Sequence, residues 1–255
     1  MIAWMNRVGN LTLFLLDDYR RSWKFLVELA GLVIVIWVFF WPRSTRGLEG
    51  EQFFTITGIF LLVQSAYTCG VFAMSGRNPR ALLFLTRKVG KDGFMASLFA
   101  ASLAMSTTVF AILTTCVFLL NWVMGQQILM TPGGWVRGTL PLALNVAMIQ
   151  AFVLLVSPSV LPAWPRIAIL GFLAVTATPD LRHVASQPAL EVLMNVLYGL
   201  GALLLTPLLS GLSLSISMRY GDGSLSILLW QGIDAALLLG TALAIFSRRE
   251  FAVRG

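Results

Sequence analysis

Long apolar runs separated by short polar links dominate this 255-residue sequence. A helix rises 1.5 Å per residue, so about 20 apolar residues cross the ~30 Å hydrocarbon core of a bilayer. Backbone polar groups cannot remain unpaired in lipid, and runs of this kind therefore fold as helices. The fold class predicted is an all-α polytopic membrane protein with one transmembrane domain over residues 1–255. The clear spans are Phe25–Trp41, Phe53–Ser75, Phe94–Met124, Leu140–Val156 and Leu225–Phe246.

The balance of residue types agrees with a membrane protein. Hydrophobic residues make up 58% of the chain and charged residues 11%, whereas about a quarter of a soluble domain is charged. The net charge is +7, but the basic residues lie in links and tails, as the positive-inside rule expects. We therefore expect membrane lipid, and no nucleic acid, as a partner. Cys69 and Cys116 lie inside apolar runs, which indicates buried thiols rather than a disulfide.

Two further runs, Ile167–Thr178 and Leu190–Leu212, leave the number of spans open. Seven spans would place the basic C-terminal tail outside, against the positive-inside rule, so six are favoured. In the first six-span arrangement, 167–178 is the fifth span and 190–212 is a re-entrant hairpin broken near Pro207. In the second, 140–178 is one broken crossing and 190–212 is the fifth span. We favour the first, because the second buries Arg166 at membrane depth.

The first arrangement places 13 of the 18 Lys and Arg residues on the side of both termini. It predicts a multi-pass protein of the bacterial inner membrane with both termini cytoplasmic. Residues 1–24 carry apolar side chains at helical spacing and are expected to form an interfacial helix at the membrane surface. The link Gln126–Arg137 is expected to be a loop, with Thr131-Pro132-Gly133-Gly134 as its turn.

The segment Gly76–Gly93 is the most basic interruption between two apolar runs. Asn78 is a good N-cap, Pro79 suits the first helical position, and Gly90 can adopt the left-handed turn that ends a helix. The pattern predicts a short amphipathic helix at the membrane surface with its basic side free to dock a partner. The docking residues predicted are Arg80, Arg87, Lys88 and Lys91.

Few polar groups lie within the spans. Asp234 is near the middle of the last span, where an acid requires a partner or a wet cavity. Gln64 and Gln150 are further candidates for the lining of a translocation path, although such residues also commonly hydrogen-bond neighbouring helices together. For Asp234 the same alternative, a hydrogen bond that joins two helices, is the simpler interpretation. Glu28, four residues after Lys24, is expected to form an ion pair at the interface.

Motifs for enzymatic chemistry are missing from the sequence. It has no GxxxxGK[ST] phosphate-binding loop, its single histidine is His183, and no paired intramembrane aspartates suggest proteolysis. A transporter driven by protons or sodium normally has more buried charge than these spans contain. An energy source outside this chain is therefore expected.

The order of these features resembles the membrane subunit of bacterial ABC-2-type exporters. The resemblance consists of an amphipathic N-terminal helix, two spans, the basic segment, further spans and the short basic tail from Ser247. Val89-Gly90-Lys91-Asp92-Gly93-Phe94 is similar to that family's entry into the third span. The proline that the family usually has at the position of Gly90 is absent.

The resemblance implies a permease without catalytic residues or cofactors of its own. Two permease subunits would pair around a central path, and each would dock a separate ATPase, which binds ATP and Mg²⁺, through the basic segment. Arg80, Arg87, Lys88 and Lys91 would be the coupling residues. Two alternatives remain: an autonomous secondary transporter or channel, and a membrane assembly factor without a transport path.

Overall fold

The computed structural model describes residues 2–41, 47–75, 90–177 and 188–248. These residues form helices and short links, with no β-strand among them; one isolated parallel bridge joins Leu48 and Ile128. A π-helical turn, Ile36–Phe40, continues the second helix. The helices are α1 Ile2–Arg21, α2 Phe25–Val35, α3 Gly50–Ser75, α4 Gly90–Val123, α5 Pro132–Val156, α6 Ala163–Ala177, α7 Pro188–Ser217 and α8 Ser224–Arg248.

Helix α5 is central, because α3, α4, α7 and α8 all pack against it. The small residue Gly138 allows one close approach. A Cβ atom at Gly138 of α5 would overlap the Phe54 ring of α3, and the Gly138 carbonyl accepts a 2.7 Å hydrogen bond from Ser215 Oγ of α7. Since lipid is as apolar as the side chains, such close packing and interhelical hydrogen bonds hold membrane helices together.

The helices α1 and α2 meet at an angle of 72°. Trp23, in the turn between them, has a φ of +60°, a conformation that is strained for a residue with a side chain. Leu11, Leu15 and Tyr19 of α1 are buried against the bundle, and Ser97 Oγ of α4 donates a 3.2 Å hydrogen bond to the carbonyl of Val8. The helix predicted for residues 1–24 is therefore present, and it packs along the start of α4.

One end of the bundle, which we name the proximal end, brings together α1, the end of α3, the start of α4 and the end of α8. Tyr19 of α1 lies against Phe72 of α3, with ring centroids 4.9 Å apart. Phe94 of α4 stacks on Phe246 of α8 at 6.3 Å. The end of α5 reaches the same cluster through Leu154.

The other end, the distal end, joins the end of α2 to the start of α3 and the end of α4. Phe53 of α3 lies 5.9 Å, centroid to centroid, from both Phe40 and Phe118. The start of α5 and the end of α7 reach this cluster through Trp135 and Ile216. Helices α3, α5 and α8 therefore run from the distal to the proximal end, and α4 and α7 run in the opposite direction.

Four helices are long and apolar enough to cross a membrane, and a fifth span results if the bent pair α1–α2 is counted as one; only the described residues enter this count. The chain is therefore an all-helical, multi-pass membrane protein. The six-span count is not confirmed, and neither is the re-entrant hairpin. Helix α7 continues through Pro207 without the break expected there. The four helices that are long and apolar enough to cross a membrane are Gly50–Met74, Gly90–Val123, Pro132–Val156 and Ser224–Arg248.

The turn expected at Thr131-Pro132-Gly133-Gly134 was wrong, because these residues begin a helix. Thr131 is the N-cap of α5 and its Oγ1 accepts a 3.1 Å hydrogen bond from the Gly134 N–H. Pro132 follows at the first helical position, where its missing N–H has no consequence. Thr131 and Pro132, which suggested a turn in the sequence, are the residues at which this helix starts.

The basic segment 76–93 falls mainly outside the described residues, which resume at Gly90. Gly90 has a φ of +75°, the left-handed conformation expected of it. Residues 90–93 belong to the first turn of α4, so this helix begins before the expected Phe94.

Candidate functional site

A cleft of about 510 Å³ lies between α7 and α8, and Asp234 lines it. The volume is within the range of small-molecule sites. Ten residues separate Asp234 from Ser224 at the start of α8, so the carboxylate lies about 15 Å along the helix, close to the middle of a span. Among the described side chains of the cleft, Asp234 alone is charged.

The rest of the cleft combines apolar surface with a few polar groups. Trp230 precedes Asp234 by one helical turn, so their side chains emerge on the same side of α8. The Trp230 side chain is 59% exposed, which leaves its indole ring free to contact a ligand. The opposite wall, on α7, is lined by Gly199, Ala202, Thr206, Pro207 and Ser210.

A buried polar junction joins α5, α7 and α8 close to this cleft. Gln231 Nε2 of α8 donates to Asn145 Oδ1 of α5, and Asn145 Nδ2 donates to the carbonyl of Leu208 in α7 at 3.2 Å. Gln231 is fully buried against Gly211, where an added Cβ would overlap its amide group. The junction fixes the spacing of α7 and α8, and hence the width of the cleft.

Gln150 lies on a different side of α5 and faces α3 and α4. Its Nε2 donates a 2.9 Å hydrogen bond to Ser106 Oγ, and its backbone carbonyl accepts a hydrogen bond from Cys69 Sγ at 3.3 Å. Gln150 and Cys69 are fully buried. These contacts join three helices, which corresponds to the structural alternative considered for Gln150; the prediction that it lines a path stays untested.

Gln64 belongs to a second buried cluster, formed by α1, α2 and α3. Glu28 is 4% exposed, and its Oε1 accepts hydrogen bonds from Gln64 Nε2, at 3.1 Å, and from Thr68 Oγ1. Gln64 Nε2 also lies 2.8 Å from Thr68 Oγ1. Tyr19 is buried beside the carboxylate. Where the sequence predicted an ion pair at the interface, the structure gives Glu28 amide and hydroxyl partners from α3 under the cover of α1 and α3.

Of the predicted coupling residues, only Lys91 is described. Its ammonium group donates a 3.1 Å hydrogen bond to the carbonyl of Ser247 at the end of α8. The last carbonyls of a helix have no intrahelical donor and attract cations, so this contact stabilises the end of α8 against the start of α4. Arg80, Arg87 and Lys88 lie outside the described residues.

Sequence reasoning singled out Asp234 and Gln64 but missed the importance of two of their neighbours, Gln231 and Glu28. Gln231 lies in the same polar stretch as Asp234, so its position within an apolar helix was a usable signal. For Glu28, the acid one turn inside an apolar run was visible. Its partners on α3 were not, because they lie 36 and 40 residues away.

A comparison of the chain with protein-family models, with curated proteins and with solved structures found no match.

Proposed function

We propose that the chain is the transmembrane permease subunit of an ATP-driven exporter of the ABC-2 type in the bacterial inner membrane. A separate ATPase subunit docks on the basic segment 76–93 and supplies the energy. This chain binds no nucleotide, and ATP and Mg²⁺ belong to the ATPase subunit.

The observation that carries this proposal is the convergence at the proximal end of the bundle. Ser75, just before the basic segment, and Gly90, within its last part, belong to the ends of α3 and α4 that meet there. The N-terminal helix packs against the same region, and Lys91 ties the start of α4 to the end of α8. A force applied to the basic segment would therefore reach α1, α3, α4 and α8 together, which is what coupling to an ATPase requires.

The directions of the helices support six crossings. Helix α5 ends at the proximal end, whereas α8 begins at the distal end, so the chain between them must cross once more. Helix α7 suits this role: it contains 30 residues, about 45 Å of helix, and its last turn contacts the start of α5. In this proposal the crossings are α2, α3, α4, α5, α7 and α8, close to the second arrangement considered, with 190–212 as the fifth span. Both termini are then cytoplasmic.

Helix α8 supports the pairing of two permease subunits. Only 11% of its apolar stretch is buried, against 50% for α3 and for α5. A second permease copy that covers α8 would enclose the cleft of Asp234 in a path between the subunits. Gln64 and Gln150, which are buried between helices, would then act by holding the helices in register rather than by contacting the substrate.

The test is a pull-down of the tagged chain from native membranes in mild detergent, with the partners identified by mass spectrometry. We expect an ATPase with a GxxxxGK[ST] loop in amounts equal to the permease. The triple variant Arg80→Glu, Arg87→Glu, Lys88→Glu should reduce its recovery about tenfold or more, because like charges that face each other cost several kcal/mol.

The matched control reverses charge at the distal end, with Arg137→Glu and Arg219→Glu, two exposed residues on the side away from the basic segment. This variant should retain the ATPase. Normal recovery and normal stimulation of an ATPase by the triple variant would refute docking through the basic segment.

An autonomous secondary transporter or channel is the second candidate, and the specific observation in its favour is the acid in the cleft. It requires that Asp234→Asn abolish transport in vesicles that contain the purified chain alone. Transport by the chain without any ATPase would replace the exporter proposal with this one.

A further inference from the structure

The cleft between α7 and α8 holds a carboxylate that has no hydrogen-bond or ion-pair partner among the described residues. Asp234 differs in this respect from Glu28, a buried acid in the first turn of α2, which accepts hydrogen bonds from two side chains. An acid near the middle of a span costs several kcal/mol unless it is paired or hydrated. A complementary group from outside the chain would remove this cost.

The chemistry around Asp234 specifies the kind of group. A carboxylate attracts a cation, and the face of a tryptophan ring attracts a cation through its quadrupole. Trp230 lies one turn from Asp234 on the same helix, and its ring is exposed in the cleft. Two features within one helical turn therefore favour positive charge, and none of the described residues of the cleft supplies it.

The remainder of the cleft favours an apolar body. Among its described residues, the α7 wall presents glycine, alanine and proline, and the hydroxyls of Thr206 and Ser210 are its further polar groups. A metal ion does not suit this lining, because hard cations require several oxygen ligands of which carboxylates are the strongest. A volume of about 510 Å³ accommodates an organic molecule of moderate size.

We propose that the α7–α8 cleft binds amphipathic organic cations, with the positive group between Asp234 and Trp230 and the apolar body along α7. As a statement about the exported substrate, this inference rests on the proposed transport function. As a statement about binding, it is tested on the purified chain without an ATPase.

The probe is radiolabelled tetraphenylphosphonium, a bulky lipophilic cation, measured by scintillation proximity with the full chain in a neutral maltoside detergent. Tetraphenylborate, an anion of nearly the same shape, is the matched control ligand. We expect saturable binding of the cation and none of the anion. Asp234→Asn should weaken cation binding about tenfold or more through the loss of the charge pair, whereas Asp234→Glu should retain most of it.

The matched control variant is Asp222→Asn, which removes an acid from the exposed link between α7 and α8 but not from the cleft. It should bind the cation as the unchanged chain does. Trp230→Leu should weaken binding of the cation by a smaller factor than Asp234→Asn, since the ring contributes less than the full charge. Size-exclusion profiles of every variant establish that a loss of binding does not reflect unfolding.

Several outcomes would overturn the inference. The first two are the absence of saturable cation binding and equal binding of the cation to the Asp234→Asn variant. Displacement of the probe by phosphatidylethanolamine at stoichiometric amounts would assign the cleft to a lipid amine instead. Cross-linking of Asp234 to a second copy of the chain, with no probe bound, would make the acid an interface residue. If the cation binds but the pull-down recovers no ATPase, the proposed binding site is supported and the proposed exporter function is refuted.

Discussion

At the scale of single residues, Glu28 tests how the interior of the bundle is stabilised. Its Oε1 accepts hydrogen bonds from Gln64 and Thr68, so Glu28→Ala would remove both bonds and leave each buried donor only its second acceptor, which lies within α3. We expect this variant to lose about 1–2 kcal/mol of stability, whereas Glu28→Gln, which keeps an acceptor oxygen, should lose less than about 1 kcal/mol. Thermal midpoints measured by size-exclusion chromatography after heating would compare the two.

The control pair is Glu51→Ala and Glu51→Gln, at an exposed acid in the first turn of α3. Both should remain within about 0.5 kcal/mol of the unchanged chain, because the side chain reaches water. Equal losses for Glu28→Ala and Glu28→Gln would show that the negative charge, and not the accepted hydrogen bonds, is what the site requires.

At the scale of helices, the spacing of α7 and α8 depends on Gly211. In most helices a change from glycine to alanine is stabilising by about 0.5–1 kcal/mol. Here the added methyl group would displace the Gln231 amide, which is bound to Asn145, so we expect Gly211→Ala to cost about 1–3 kcal/mol. The same thermal assay measures the loss.

Gly240→Ala on α8 is the matched control, since no atom lies within 4 Å of the added Cβ. It should be neutral or slightly stabilising. The double variant Gly211→Ala, Gln231→Ala should lose less than the sum of its two single changes, because the overlapping group is then gone. Strict additivity would contradict the close contact between α7 and α8.

The sequence predicted some helix boundaries well and others poorly. Apolar length located α3, α4, α5 and α8 to within a few residues, apart from the first turns of α5. There Thr131 and Pro132 serve equally as turn and as helix-start residues, so the sequence predicted a loop over 132–137, the first six residues of α5. At Pro207 the error is the opposite one: the sequence predicted a break, and the helix continues through this residue. In a bilayer a break leaves backbone groups unpaired, so a proline is accommodated inside a helix more readily than in water.

At the scale of the whole molecule, the six crossings that we propose would place the two ends of the bundle on opposite sides of the membrane. Single cysteines at Gln127 and Asp222, both at the distal end, should react with a membrane-impermeant maleimide in intact cells. A cysteine at Ser22, at the proximal end, should react only after the membrane is permeabilised. Cys69 and Cys116 are first replaced by alanine, and labelling is detected by a shift in gel mobility.

The positions are exposed, so a difference in reactivity reports the side of the membrane and not burial. Labelling of Gln127 and Asp222 from opposite sides would contradict the crossing by α7. Labelling of Ser22 from outside would reverse the orientation and place the basic segment where no cytoplasmic ATPase reaches it.

The sequence by itself determined that this chain is a multi-pass helical membrane protein. The length of the apolar runs and the positions of the charged residues are local properties, and they decide which segments are stable in a bilayer. The sequence also identified Asp234 and Gln64 as exceptional, since each interrupts an apolar run. Only the tertiary structure decided their surroundings: Gln64 meets a buried carboxylate from α2, whereas Asp234 faces an open cleft against α7. These contacts join residues far apart in the chain, and they depend on which helices pack together, which no local pattern specifies.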